Sequence, residues 1–320
     1  MMSNKVKSYV AGSIAICISA TLWGLDGVVL TPRLYNLNIQ FVVFIIHALP
    51  FVMMNVFLFN EYRHLKFFSL RELLFIFLIA LTGGALGTMA IVKALFLVDF
   101  KELSVVVLLQ KLQPVFAISL AAIILKERLN RDFALWAGLA IVAGYFLTFG
   151  LKLPDFETGS NTALAAGYSL IAAFFFGSAT VLGKGVLRNL SFSTATFYRY
   201  GFTSLIMLVI VAFSGKINQF QFVTVENWKI ILIISFTVGS GAIFLYYYGL
   251  KKVPAMLSAI FELFFPLSAI VFDYIFNHKV LSLVQWVSVV IMLVSILKLS
   301  MSSPRKVSAK DADKQLKSRL

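Results

Sequence analysis

Long apolar runs follow one another along almost the whole chain, separated by short polar pieces. Taking about 20 residues as the helix length that crosses bilayer hydrocarbon, the runs fall at about 9–30, 38–59, 73–97, 103–125, 132–150, 162–187, 194–214, 229–250, 255–276 and 282–300. The intervening pieces, such as TPRLYNL, LKLPDFETGSN and KKVP, carry the Gly and Pro residues of tight connections. Each run must be helical, because hydrocarbon offers no partner to an unpaired backbone N–H or C=O. The pattern therefore predicts an all-α polytopic membrane protein with ten transmembrane helices. The longest connection, Ser214 to Trp228, leaves no room for a soluble catalytic domain.

Composition agrees with that pattern. Hydrophobic residues make up 60% of the 320 residues and charged residues 13%, with a mean hydropathy of +0.91; a soluble domain is nearer half apolar and a quarter charged. The net charge of +14 would point to nucleic acid in a soluble chain, but here it sorts by side. With the N-terminus inside, most Lys and Arg residues fall on the inner segments, among them Arg63, Lys66, Arg71, Lys126, Arg128, Arg188 and Lys252. Only a few, such as Arg33 and Lys216, fall outside, as the positive-inside rule requires. Both termini are thus expected in the cytoplasm, with the chain in the cell (inner or plasma) membrane and no nucleic-acid partner. The first run is too long for a signal peptide and lacks a small-x-small cleavage site, so it reads as a span. The polar tail after Met301 reads as a basic segment drawn to anionic headgroups.

The chain also repeats itself. LLQKLQPVFAIS lies over FELFFPLSAI with Pro114 on Pro266 and Gln110 on Glu262. TGGALGTMAIVKAL matches VGSGAIFLYYYGL, and SATLWGLDGVVL matches AFFFGSATVLG with Gly24 on Gly177. This divides the protein into repeat 1–150, linker 151–161, repeat 162–300 and tail 301–320. An odd number of crossings per repeat inserts the second upside down, the inverted 5+5 arrangement of secondary transporters, whose substrate site lies near the midplane.

These residues resemble the EamA branch of the drug/metabolite transporter superfamily. The resemblance rests on Trp23–Gly24 and Gly177, on Pro114 and Pro266, on KERL at Lys126–Leu129, and on Trp136 and Trp286 opening the last helix of each repeat. Two positions depart from the family pattern: His47 replaces a basic residue in the second helix, where the other repeat keeps Arg199, and Glu127 is matched by Lys279. The resemblance implies a secondary transporter, an exporter in direction, working by alternating access without a cofactor.

Ionisable groups deep in a span cost roughly 2.5–3.5 kcal/mol or more and are kept where they face a cavity or a partner. Glu262 lies roughly 10 Å from the inner end at about 1.5 Å per residue, on one helix face with Ser258, Pro266, Ala269 and Asp273. It reads as a coupling carboxylate or a site for a substrate amine, or as an ion-pair partner of Arg199. Lys111, with Gln110 and Gln113 beside it, reads as a site for a substrate carboxylate or phosphate, or as a salt bridge to Asp26. Asp26 and Lys93 are a further potential pair, as a gate or a tie. His47 is a packing residue or a proton carrier, since imidazole titrates near physiological pH. Trp23, Tyr246, Tyr247 and Tyr248 wall a pocket or pack. Pro114 and Pro266 release the carbonyls of Gln110 and Glu262 and bend their helices.

The three histidines, His47, His64 and His278, form no HExxH or other metal-ligand spacing, and Cys17 has no evident base, so enzyme chemistry is not expected. The expected partners are the lipid bilayer, a small-molecule substrate and protons or a counter-substrate. The leading substrate class is an amino acid or related amine. The alternative is exchange of anionic or phosphorylated metabolites, because Lys93, Lys111 and Arg199 outnumber the deep carboxylates.

Overall fold

The computed structural model describes residues 4–98, 106, 109–128, 131–151, 160–278 and 280–299. Most of the 151–161 linker and all of the 301–320 tail lie outside these residues. Every regular element among them is helical. Helix α1 (Asn4–Leu25) continues through a π-turn at Asp26–Leu30 and a 3-10 turn at Thr31–Leu34. There follow α2 (Ile39–Leu58), α3 (Leu70–Ile79), a π-segment at Ala80–Leu86, α4 (Gly87–Leu97), α5 (Gln113–Ile124) and α6 (Arg131–Phe149). The C-terminal stretch contains α7 (Ser160–Val186), α8 (Phe192–Phe213), α9 (Val225–Ile234), a π-segment at Ser235–Gly239 and α10 (Ser240–Lys252). It closes with α11 (Ala255–Phe261), α12 (Phe264–Asn277) and α13 (Leu283–Leu299).

Eight helical stretches among the described residues are long and apolar enough to cross a membrane, and α5 and α13 are shorter apolar helices. These two occupy the places of the fourth and tenth expected spans; part of the fourth lies outside the described residues. Local signals start the helices as expected. Asn38, Ser69, Ser191 and Thr224 each accept a backbone N–H at an N-terminus, and Ser69 with Glu72 forms a reciprocal capping box.

The expected bends at Pro114 and Pro266 are breaks. Pro266 has no N–H to give to the carbonyl four residues earlier. The Glu262 carbonyl instead accepts the Phe265 N–H at 2.9 Å, and α11 ends as α12 begins. Before Pro114 the chain likewise turns at Lys111–Leu112, with Leu112 N–H on Leu109 C=O at 3.1 Å. The two broken helices also end alike: Lys126 and His278, at the same distance beyond their prolines, both adopt φ 56°.

The two stretches interlock. Helix α1 packs on α10 and α12, α2 on α8, and α4 and α5 on α7. Two glycines permit close approaches in matching ways. A Cβ on Gly24 would strike Ser268 and lie 2.9 Å from Ala269 N and 3.0 Å from Phe265 O, on either side of Pro266. A Cβ on Gly177 would lie 3.0 Å from Ala117 N and 3.1 Å from Gln113 O, the same positions relative to Pro114. Small residues at such crossings let backbones meet where hydrocarbon supplies no hydrophobic drive between helices. The interior is filled by Ile16, Phe41, Phe197, Tyr247 and Phe261, while Val56, Phe57, Phe213 and Val290 are exposed around the outside, as lipid-facing positions must be.

At the end of the bundle that carries Arg71 and Arg188, polar side chains tie the stretches together. Glu127 accepts the N–H groups of Ala255 (2.8 Å) and Met256 (3.0 Å), capping α11. Lys184 donates to the carbonyls of Leu250 (2.7 Å) and Lys251 (3.1 Å), capping α10. Each charge has the sign that its helix end favours.

Gly177→Val should fail to give a monodisperse protein on size-exclusion chromatography, because backbone atoms of α5 cannot withdraw from the added side chain. Gly138→Ala in α6, where a Cβ meets nothing within 4 Å, should elute and melt as the parent does.

Candidate functional site

The helix breaks deliver one polar cluster to the interior. Glu262, at the turn between α11 and α12, is reached from three other helices. Its Oε2 accepts Gln113 Nε2 from the first residue of α5 at 2.6 Å. Its Oε1 accepts the Tyr246 hydroxyl of α10 at 2.7 Å and the Thr180 hydroxyl of α7 at 3.4 Å. Thr180 Oγ1 and the Tyr246 hydroxyl are themselves 2.8 Å apart. A carboxylate out of water is costly, and charge-assisted hydrogen bonds from several donors offset much of that cost. Trp23 of α1 completes the wall, its ring centroid 5.3 Å from that of Tyr246.

A cation lies on the other side of the tyrosines. Arg199 of α8 donates from Nη1 to the Tyr247 hydroxyl at 3.2 Å, with Cζ 5.5 Å from the Tyr247 ring centroid. Its Nε is buried without a hydrogen-bond partner among the described residues. The π-segment of the third span comes close here because it is glycine-rich; a Cβ on Gly83 would lie 3.4 Å from Arg199 Nη2. His47 of α2 is buried beside Tyr200, ring centroids 5.4 Å apart, and its Nδ1 is 2.8 Å from the Val43 carbonyl. That bond places the proton on Nδ1 and leaves Nε2 as an acceptor.

Three ion pairs that the sequence left open as alternatives are absent among the described residues, where the two salt bridges are His64–Glu61 and Lys229–Glu226. Glu262 does not pair with Arg199; neutral donors take its oxygens and Tyr247 takes the guanidinium. Lys111 does not pair with Asp26. It donates to Thr148 Oγ1 and to the Gly144 carbonyl (3.4 Å) of α6, while Asp26 accepts the Thr31 hydroxyl at 2.9 Å inside its own π-turn. Lys93 is exposed and does not reach Asp26. Glu262, Arg199, Lys111 and Asp26 each bond to a neutral neighbour on an adjacent turn or helix, whereas Lys93 lies exposed.

Of the candidates, Gln113, Glu262, Tyr246 and Trp23 are thus brought together, with Arg199 and His47 on the adjoining tyrosine-lined side. Lys111 and Asp26 are bonded elsewhere, and among the described residues no side-chain hydrogen bond joins Gln110 to the cluster. Thr180 was not anticipated. Its signal was available: it lies three residues after Gly177, on the same helix face. Thr148 and the capping role of Glu127 had no signal in spacing, since both depend on partners far along the chain. No group of three or more His, Cys, Asp or Glu residues among the described residues can hold a metal ion.

The EamA-like transporter family matches residues 10–150 and 163–301. The chain belongs to that family. It is 50% identical over 301 residues to the riboflavin transporter ImpX of Fusobacterium nucleatum subsp. nucleatum, covering 93% of this chain and 99% of that protein. A solved structure titled only as the crystal structure of a protein superposes with a TM-score of 0.68 at 13% identity, covering 94% of this chain and 98% of the other, and so shares the fold. As a family member this chain is a multi-pass membrane transporter and not an enzyme, and its substrate is a small molecule.

Tyr246→Phe removes the shorter of the two hydroxyl donors to Glu262 Oε1 while keeping the ring on Trp23. It should lower transport on the order of tenfold, equivalent to about 1.4 kcal/mol, in a variant that elutes as the parent does. Lys111→Met should leave transport near that of the parent, because the ammonium is already bonded to α6; a loss matching that of Tyr246→Phe would return Lys111 to the site.

Proposed function

We propose that the chain carries riboflavin, or a flavin of the same tricyclic class, across the cell membrane by alternating access. The observation that carries this reading is its 50% identity, over nearly the full length of both chains, to a protein named as a riboflavin transporter. The chemistry of the central cluster supports it. A flavin ring presents two flat aromatic faces and one edge where an imide N–H sits between two carbonyls. Trp23 and Tyr246 offer aromatic surface for stacking. Gln113 carries both donor and acceptor on one amide, and Glu262 is an acceptor for the imide N–H or for the hydroxyls of the sugar-alcohol chain.

The amino acid or amine anticipated from the sequence took Glu262 as a coupling carboxylate or a site for a substrate amine. With the carboxylate ringed by Gln113, Tyr246 and Thr180, a neutral hydrogen-bonding heterocycle is the better match. The phosphorylated-anion alternative counted Lys93, Lys111 and Arg199 against the deep carboxylates; of these, Lys93 is exposed and Lys111 is bonded to α6. In this reading the protein crosses the membrane ten times as two inverted five-helix units, with α5 and α13 completing the fourth and tenth crossings and both termini in the cytoplasm. The units rock about the helix breaks, exposing the cluster to one side and then the other. Glu262 is the group we assign to coupling, since a carboxylate exchanging neutral donors for substrate can also exchange a proton.

Purified protein in liposomes preloaded with riboflavin should take up labelled riboflavin by counterflow, and riboflavin binding should quench tryptophan fluorescence. Glu262→Gln should abolish accumulation driven by a pH gradient. Liposomes that move a labelled amine but not riboflavin would overturn the flavin reading and restore the amine. Comparison of inside-out with right-side-out vesicles reads the direction, outward being the one the family resemblance implies.

A further inference from the structure

A cavity of about 220 Å³ opens at the end of the bundle where most of the basic residues lie. Its walls come from both stretches: the start of α3, the end of α5 and the end of α7. Two arginines line it. Arg71 is folded back so that its Cζ lies 5.2 Å from the Phe75 ring centroid, which lays the guanidinium along the cavity wall. Arg188 reaches across from the end of α7 and donates from one Nη to the Leu125 carbonyl at a long 3.4 Å.

The acid that lines the same cavity, Glu72, is fully used. Its Oε2 accepts the Ser69 N–H (2.9 Å) and hydroxyl (2.7 Å), and its Oε1 accepts Asn189 Nδ2 at 2.9 Å. Neither arginine forms an ion pair among the described residues, where the salt bridges involve His64 and Lys229 alone. Neutral donors hold that carboxylate in place without cancelling its charge, so the two guanidiniums outnumber it and leave the pocket with a net positive charge that suits an anion. The planar fork of arginine matches the oxygen geometry of phosphate, which takes two parallel N–H bonds from each. At about 30 Å³ for one water's share of liquid volume, the cavity has room for a phosphate group and several atoms of its substituent.

We propose that this seam pocket binds a phosphate ester through Arg71 and Arg188, on the cytoplasmic side in the orientation given above. Because its walls belong to both stretches, a bound phosphate ester stabilises the conformation in which this end is closed and so biases the transport equilibrium. The same chemistry is supplied by a soluble phosphomonoester in the cytoplasm, including a phosphorylated product of the transported compound, or by the phosphodiester of an inner-leaflet lipid. The site does not depend on the identity of the transported substrate.

The test is thermal unfolding of the full-length protein, using phenyl phosphate in neutral detergent with chloride at matched ionic strength as the control. In parallel, the protein is placed in nanodiscs of phosphatidylglycerol and of phosphatidylcholine. A melting shift that grows with the logarithm of phenyl phosphate concentration, and is lost in both Arg71→Gln and Arg188→Gln, establishes a soluble phosphomonoester as ligand. A shift confined to phosphatidylglycerol nanodiscs and lost in the same variants establishes the lipid. Both arginines are exposed at the end of the bundle, so the variants should fold, and unchanged elution of each checks this. No shift with either probe, or equal shifts in parent and variants, would overturn the proposal. Riboflavin counterflow is read separately, so failure of the flavin reading leaves this result intact.

Discussion

In a bilayer every polar group must find its partner within the protein, and at Pro114 and Pro266 that requirement is broken locally by covalent structure. A proline cannot donate to the carbonyl four residues back, so each helix turns and restarts. The turn in the C-terminal stretch exposes a carboxylate, Glu262, and the restart in the N-terminal stretch begins with an amide, Gln113. Their 2.6 Å hydrogen bond joins two helices that are far apart in sequence. Tyr246, Thr180 and Trp23 are arranged around that bond. The central cluster therefore sits where two missing backbone donors break the helices that carry Glu262 and Gln113.

The packing serves the same end. Gly24 and Gly177 stand against matching positions on either side of the two prolines, so the helix that follows each break is held by a backbone approach that a side chain would prevent. At one end, Glu127 and Lys184 reach across to cap α11 and α10. They hold the same connection, Val253–Pro254, from both sides. Movement that opened this end would have to release those caps, whereas the Gly24 and Gly177 contacts lie beside the breaks themselves. The arrangement separates a polar, breakable tie at the end of the bundle from a tight apolar contact near its centre.

The absence of ion pairs at the deep charges among the described residues is informative about how charge is tolerated here. Arg199 is held by the face and hydroxyl of Tyr247, Lys111 by a hydroxyl and a carbonyl, and Glu262 by three neutral donors. Each of these charges is bonded to neutral partners rather than held in a direct ion pair, a condition under which the arrival of a substrate, a proton or a counter-substrate changes the local electrostatics. An internal salt bridge would have to be broken before it could take part in transport.

Much of this was legible from the chain alone. The requirement that spans be helical, the spacing of apolar runs, the matched prolines and the matched glycines fixed the class of protein and pointed to Glu262, Gln113, Trp23 and Tyr246 as residues of interest. These features are local or periodic, and hydrocarbon leaves them few alternatives. Partner choice was not legible. Whether Glu262 met Arg199 or Gln113, whether Lys111 met Asp26 or Thr148, and what Glu127 capped were decided by distances of a few ångströms between helices remote in sequence. Hydrogen bonds act only over such distances, and only the tertiary packing determines which groups come within them.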